Sequence, residues 1–203
     1  YGRIHFEEGG VYITTSYRVI VEHNLCYLLD FICEPTEFHE KRYTFYCITS
    51  IGVTRELNRH RVNSIAEQST RYCNYAKKDK FGGHTSFCIP AWMPQTEKTI
   101  DTSNGWGTLP GEELYAFLGK AERHYFYLLG QGWQPQQARE VLPLCTASEI
   151  IHTAFASDWK HFFDLRYFGI TGKPHPNMEQ LATLMKEEAE KYGIWNEISN
   201  SNK

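Results

Sequence analysis

The run Tyr43-Thr44-Phe45-Tyr46-Cys47-Ile48-Thr49 constrains the fold of this chain more than any other segment. It is dense in β-branched and aromatic residues and carries apolar side chains on both faces, the pattern of a strand buried inside a sheet. The segment from Ile51 to about His60 then reads as a helix that carries Arg59-His60-Arg61 out of the core.

Weaker signals lie on either side. Val11 to Thr15 predicts a strand, whereas Tyr17 to Val21 fits either a strand or the start of a helix. Leu25, Leu28, Leu29 and Ile32 fall at helical spacing, and Pro35 ends that run. Residues 74–110 are loop-like and punctuated by Gly and Pro, which in a compact domain means a lid, a subunit contact or disorder. An amphipathic helix is predicted from Glu112 to Gln131, with Leu114, Phe117, Leu118, Ala121, Tyr125 and Leu128 on one stripe. Pro135 starts a short helix through Leu142. Ile150 to Phe155 is a strand candidate, and Ser157 is expected to cap a helix through Arg166. Met178 to Tyr192 forms a last helix, ended by Gly193. No repeat and no break interrupts this order, so residues 1–203 read as one mixed α and β domain.

Composition excludes several classes of function. A net charge of −3 argues against a broad nucleic-acid footprint, so no nucleic acid is expected as a partner. No apolar run approaches a membrane span and no signal-peptide pattern opens the chain, so the expected location is cytoplasmic, with no membrane partner. The six cysteines form no C-x-x-C pair, and most of them read as small buried hydrophobes of a reducing compartment. No histidine pattern suits zinc, and no metal is expected. Aromatic residues at 15% suit deep cores, oligomer interfaces and ring-stacking pockets alike.

The charged block is the chemical signal. Arg59, Arg61, Ser69 and Arg71 bracket a helix end and the turn after it, where guanidinium groups, a hydroxyl and backbone amides can converge on an anion. In full it reads Arg55-Glu56-Leu57-Asn58-Arg59-His60-Arg61-Val62-Asn63-Ser64-Ile65-Ala66-Glu67-Gln68-Ser69-Thr70-Arg71-Tyr72. Arg-His-Arg followed after seven residues by Ser resembles the signature of the flavin-dependent thymidylate synthases. Ala138-Arg139-Glu140-Val141-Leu142-Pro143 and His161-Phe162-Phe163-Asp164-Leu165-Arg166 resemble that family's downstream elements, and Thr36 with Phe38 and Tyr43-Thr44-Phe45 resembles the segment before the signature. The resemblance spans roughly residues 34 to 192.

That resemblance implies an α+β domain with a central, mostly antiparallel sheet flanked by helices, assembled as a homotetramer with shared sites. It implies conversion of dUMP to dTMP, with methylenetetrahydrofolate as carbon donor and NADPH-reduced FAD as hydride source, without a cysteine nucleophile. Ser69, Arg71 and Arg139 would hold the nucleotide phosphate, helped by Gln68 and Thr70, while Arg166 would face the uracil and stabilise charge as the ring loses a proton. FAD would be gripped by Thr36, Arg59, His60, Arg61, Glu67 and His161. Glu56, Arg59 and Glu67 would also border the nucleotide. The sequence departs from the family pattern at Glu56 (usually Gln), at Ala66 (usually Asn) and at Phe155-Ala156-Ser157 (usually Asn-x-Arg). Phe155 could therefore stack on the flavin beside Ser157, and Glu56 is expected to orient Arg59 through an ion pair. The same departures leave open an altered member acting on another pyrimidine nucleotide, or a non-catalytic nucleotide-binding descendant.

Overall fold

The computed structural model describes residues 2–60, 63–93 and 110–201. Arg42–Ser50 forms β3, and its register along the whole of β5, Ala147–Phe155, runs antiparallel from Arg42 opposite Phe155 to Ser50 opposite Ala147. A short strand β4, Ser64–Glu67, pairs antiparallel with the other edge of β5. The sheet order is therefore β3-β5-β4, with β5 in the centre. This corrects the expectation that Tyr43–Thr49 is the interior strand. Its inward side chains Cys47 and Thr49 are buried, but Tyr46 and Ile48 stand 59% and 62% exposed on the opposite face. Alternation along a strand separates the two sets, and among the described residues none buries the outer one.

Helices cover the inner face. Ile51–Leu57 (α2) starts where Ser50 Oγ accepts the Val53 N–H at 3.3 Å. Ala156–Arg166 (α6), Pro176–Lys191 (α7) and Trp195–Ser199 (α8) complete the layer. The core between them holds Val53, Leu57, Ile150, Trp159, Phe162, Phe163, Met178, Ala182 and Ile198, all at most 2% exposed. Trp159 also donates its Nε1–H to the Tyr43 carbonyl at 2.9 Å, which ties α6 to β3. The last residue before α6 is Phe155, so Ser157 does not cap that helix. Its backbone N–H instead meets the Glu40 carboxylate at 2.8 Å, a cap supplied from a distant loop.

A second, smaller core lies beside the sheet, centred on Tyr75, Tyr125 and Ala138. It gathers Lys78–Phe81 (α3), Pro110–Gly130 (α4) and Pro135–Ala138 (α5), the last followed by a 3₁₀ turn over Arg139–Val141. Gln134 and Gln137 form a reciprocal capping box around Pro135. Phe117, expected on the buried stripe of α4, is 54% exposed, whereas Leu118, Ala121 and Tyr125 are buried.

At the N-terminal end, Arg3–Glu7 (β1) and Gly10–Thr14 (β2) form a hairpin, its tight turn made possible by Gly9 at φ +101°. Tyr17–Glu22 (α1) resolves as a helix because Ser16 Oγ accepts the Val19 N–H. The run after it is a 3₁₀ segment, Cys26–Phe31, with no buried residue. All six cysteines are free, and only Cys47 is fully buried, so the expectation of buried thiols holds for that one. Cys26 and Cys33 are exposed because their segment does not pack on the core. No described helix is long and apolar enough to cross a membrane.

Trp159→Ala is expected to lower the unfolding free energy by roughly 3–5 kcal/mol through the void it leaves. Leu184→Ala, at a position 53% exposed, should cost less than about 1 kcal/mol. Denaturant titration of both variants checks the contrast.

Candidate functional site

Two helix ends create the first cluster. Arg166 is the last residue of α6, where a cation complements the carbonyl end of the helix. Its Nη1 donates to Glu56 Oε2 at 3.0 Å and its Nε–H to His60 Nε2 at 3.3 Å. The second bond requires His60 Nε2 to be unprotonated and so selects the Nδ1–H tautomer. The His60 ring meets Phe162 edge-on at 5.2 Å and lies 6.5 Å from the ring of His161, so the residue beyond the end of α2 packs on α6. Glu56 thus pairs with Arg166 across the α2–α6 contact, correcting the expected pair with Arg59. Arg59 is exposed beyond the end of α2. Arg61 lies outside the described residues.

The second cluster forms where the chain leaves β4. Gln68 N–H extends the ladder to the Glu149 carbonyl at 2.8 Å, and the amides of Tyr72 and Cys73 then turn back onto the Ser69 carbonyl. That turn docks on the segment around α5. Arg139 Nη1 donates to Thr70 Oγ1 at 2.9 Å, and Arg71 Nη2 to Gln136 Oε1 at 3.4 Å. Ser69 Oγ accepts the Arg71 N–H at 3.3 Å. Two guanidinium groups and two hydroxyls from segments distant in sequence therefore share one patch of surface. Such a set suits a phosphate-sized anion.

Glu67 ties the strand before this turn to the end of α2 and to β5. Its carboxylate accepts from Asn58 Nδ2, at the end of α2, and from Ser148 Oγ on β5, both at 3.2 Å. A cavity of about 200 Å³ opens beside the turn, lined by Gln68, Tyr75, His84, Ser148 and Glu149 among others. Cys73 borders this turn, but burial and the Glu149 charge push its thiol up, which disfavours the nucleophilic thiolate. Asn58, Gln136 and Ser148 carried no signal in the sequence, because their importance comes only from what lies opposite them.

Three expected residues stand elsewhere. Thr36 Oγ1 is engaged locally, with the Phe38 N–H and His39 Nδ1, in the loop before β3. Phe155 and Ser157 are 2% and 1% exposed. The Arg3 guanidinium covers the Phe155 ring at 4.5 Å, donates to Ser157 Oγ at 3.3 Å and pairs with Glu40 and Asp158. Phe155 thus lies under two arginines, Arg3 of the N-terminal hairpin and, at 5.2 Å, Arg42 of β3, and this corner of the fold presents little surface to a ligand.

A family model described as thymidylate synthase complementing protein matches residues 33–192. The chain belongs to that family. The thymidylate synthase complementing protein match spans both clusters, whereas the hairpin that supplies Arg3 lies outside it. No curated protein matches the chain. Among solved structures, the UMP/dUMP methylase PolB from Streptomyces cacaoi, bound with 5-Br dUMP, is similar in fold. The two share 24% identity over 77% of this chain and 70% of that one, with a TM-score of 0.57.

Beneath the segment that follows Arg61, His152 on β5 is 1% exposed and meets Asn63 Nδ2 through Nε2 at 2.6 Å. Burial pushes its imidazole down to about 4. Between the ordinary value of 6.5 and about 4 the unfolded chain binds a proton that the folded chain refuses. Stability should therefore fall as pH drops through that window, by up to roughly 3 kcal/mol. His152→Leu should flatten this dependence, measured as denaturation midpoints at about pH 7 and about pH 5.

Proposed function

We propose that this chain is a flavin-dependent thymidylate synthase, converting dUMP to dTMP with methylenetetrahydrofolate as carbon donor and NADPH as reductant. The observation that carries the reading is the docking of Ser69-Thr70-Arg71 onto Arg139 and Gln136, a basic patch with the donors that a phosphate dianion needs. The pyrimidine nucleotide in the PolB structure supplies the matching ligand class.

In this reading Ser69, Arg71 and Arg139 take the phosphate, with the Thr70 amide beside it, while the Gln68 N–H stays in the ladder with the Glu149 carbonyl. Thr70 keeps Arg139 in place before substrate arrives, so less side-chain freedom is lost on binding. Glu67, held by Asn58 and Ser148, accepts a sugar hydroxyl. Arg166, braced by Glu56 and His60, stabilises negative charge as the pyrimidine ring nitrogen gives up its proton, which raises electron density at the carbon to be alkylated. Cys73 stays protonated and takes no part.

Tested against the residues present, the flavin suits one end of the site and not the other. Exposed Arg59, with His60, Glu67 and His161 nearby, offers cationic and hydrogen-bonding groups for a dinucleotide. At the other end Phe155 and Ser157 are closed off by Arg3 and Glu40. When bound, FAD supplies the reducing equivalents that it receives from NADPH. Thr36 makes its hydrogen bonds locally, in the loop before β3, and in this reading a neighbouring subunit brings it to the flavin. A homotetramer with shared sites would do so, and the outer sheet face with Tyr46, Ile48 and Ile151 exposed supports that assembly. The closed corner at Phe155 and Ser157 favours one variation, a relative that alkylates another pyrimidine nucleotide such as UMP.

Incubation with labelled methylenetetrahydrofolate, NADPH and either dUMP or UMP, with the product identified by mass, distinguishes the two. A protein that shows no flavin absorbance after reconstitution and makes neither product refutes both. Arg139→Ala should weaken nucleotide binding by about 1.5–3 kcal/mol and leave flavin oxidation without nucleotide unchanged. Arg166→Ala should retain flavin but lose turnover by roughly 10²- to 10³-fold, and stopped-flow absorbance with product analysis reads both.

A further inference from the structure

Glu56 and Arg166 face each other across the α2–α6 contact with side chains 32% and 24% exposed, so their ion pair is only partly screened by solvent. Among the described residues, Glu56 is the carboxylate that pairs with this guanidinium. Asp164, two residues before Arg166 on α6, is engaged with Lys160 at 2.7 Å. His60 takes the Nε–H, which leaves the remaining Nη donors of Arg166 for a ligand. Any anion that forms there meets a cation already shared with a carboxylate 3.0 Å away.

We propose that Glu56 is a positioning residue that sets how much positive charge Arg166 can offer the pyrimidine ring. This rests on the assignment of Arg166 to the ring in the proposed reaction. The carboxylate holds the guanidinium at the α2–α6 junction and offsets part of its field. Loss of the ring proton is therefore favoured less than it would be beside an uncompensated arginine. The wild-type site should bind the neutral ring with little penalty and discriminate weakly between neutral and ionised pyrimidines. A glutamine at position 56 keeps the shape and an oxygen that accepts from Nη1, but removes the charge, so it separates holding from neutralising.

Equilibrium titration of the flavin-loaded protein with dUMP and with 5-bromo-dUMP, at mildly alkaline pH, tests this. The bromine withdraws electrons and makes the ring N–H more acidic, while phosphate and sugar are common to both ligands. The ratio of their dissociation constants thus reports the ring alone. Glu56→Gln should raise the preference for the bromo nucleotide several-fold, up to about tenfold, the equivalent of about one pKa unit. Glu56→Asn should move it in the same direction, and Glu56→Asp, which retains the charge, should keep the native preference. A ratio unchanged in both neutral variants, with both nucleotides still binding, overturns the role given to Glu56 and leaves the proposed reaction standing. Failure of the native protein to bind either nucleotide overturns the proposed reaction itself.

Discussion

The pairing of β5 on both of its edges is the constraint on which the rest of the structure depends. β3 fixes its full length in register, β4 fixes its middle, and α6 leaves its end without an intervening loop. Ile150, His152 and Ala154 therefore point inward as a set, and Trp159, Phe162 and Phe163 follow at the positions that pack against them. A one-residue slip of β5 would turn this set outward and move Arg166 with it. The same strand carries Ser148 and Glu149, which hold Glu67 and Gln68, so both ends of the site are referred to one ladder of hydrogen bonds.

Charge is managed by pairing rather than by burial. Arg166 has Glu56 and His60, Arg139 has Thr70, and Arg71 has Gln136. None of these bonds is worth much by itself on a partly solvated surface. Their effect is to place long side chains before a ligand arrives. Arg3 shows the same device used for structure: it closes the start of α6 by satisfying Glu40, Asp158 and Ser157 while lying on Phe155. A hairpin outside the family-matched span thereby covers a corner where the sequence departs from the family pattern.

Much of the fold was legible along the chain because the signals are local. Ser50 before α2, Pro135 with its glutamines, and Gly193 at φ +71° after α7 mark their boundaries by backbone chemistry that needs no distant partner. The reading failed where partners decide. Ser157 has the right side chain for a cap, yet Glu40 performs that task from a loop far away in sequence. Tyr46 and Ile48 look like core residues, but they lie on the sheet face opposite the helices, as does Ile151 of the central strand. Cys26 and Cys33 are apolar enough for burial, but the segment that carries Cys26 contributes no buried residue and both thiols stand exposed.

The candidate site divides along the same line. The sequence by itself determined which chemistry is available: an arginine-rich block, two further arginines in recognisable surroundings, and the family to which they belong. Those are properties of residue type and spacing. Only the tertiary structure decided that Arg139 meets Thr70, that Glu56 engages Arg166 rather than Arg59, and that Phe155 lies under Arg3. Each of these contacts joins different elements, and its geometry follows from strand register and helix packing, which no single segment specifies.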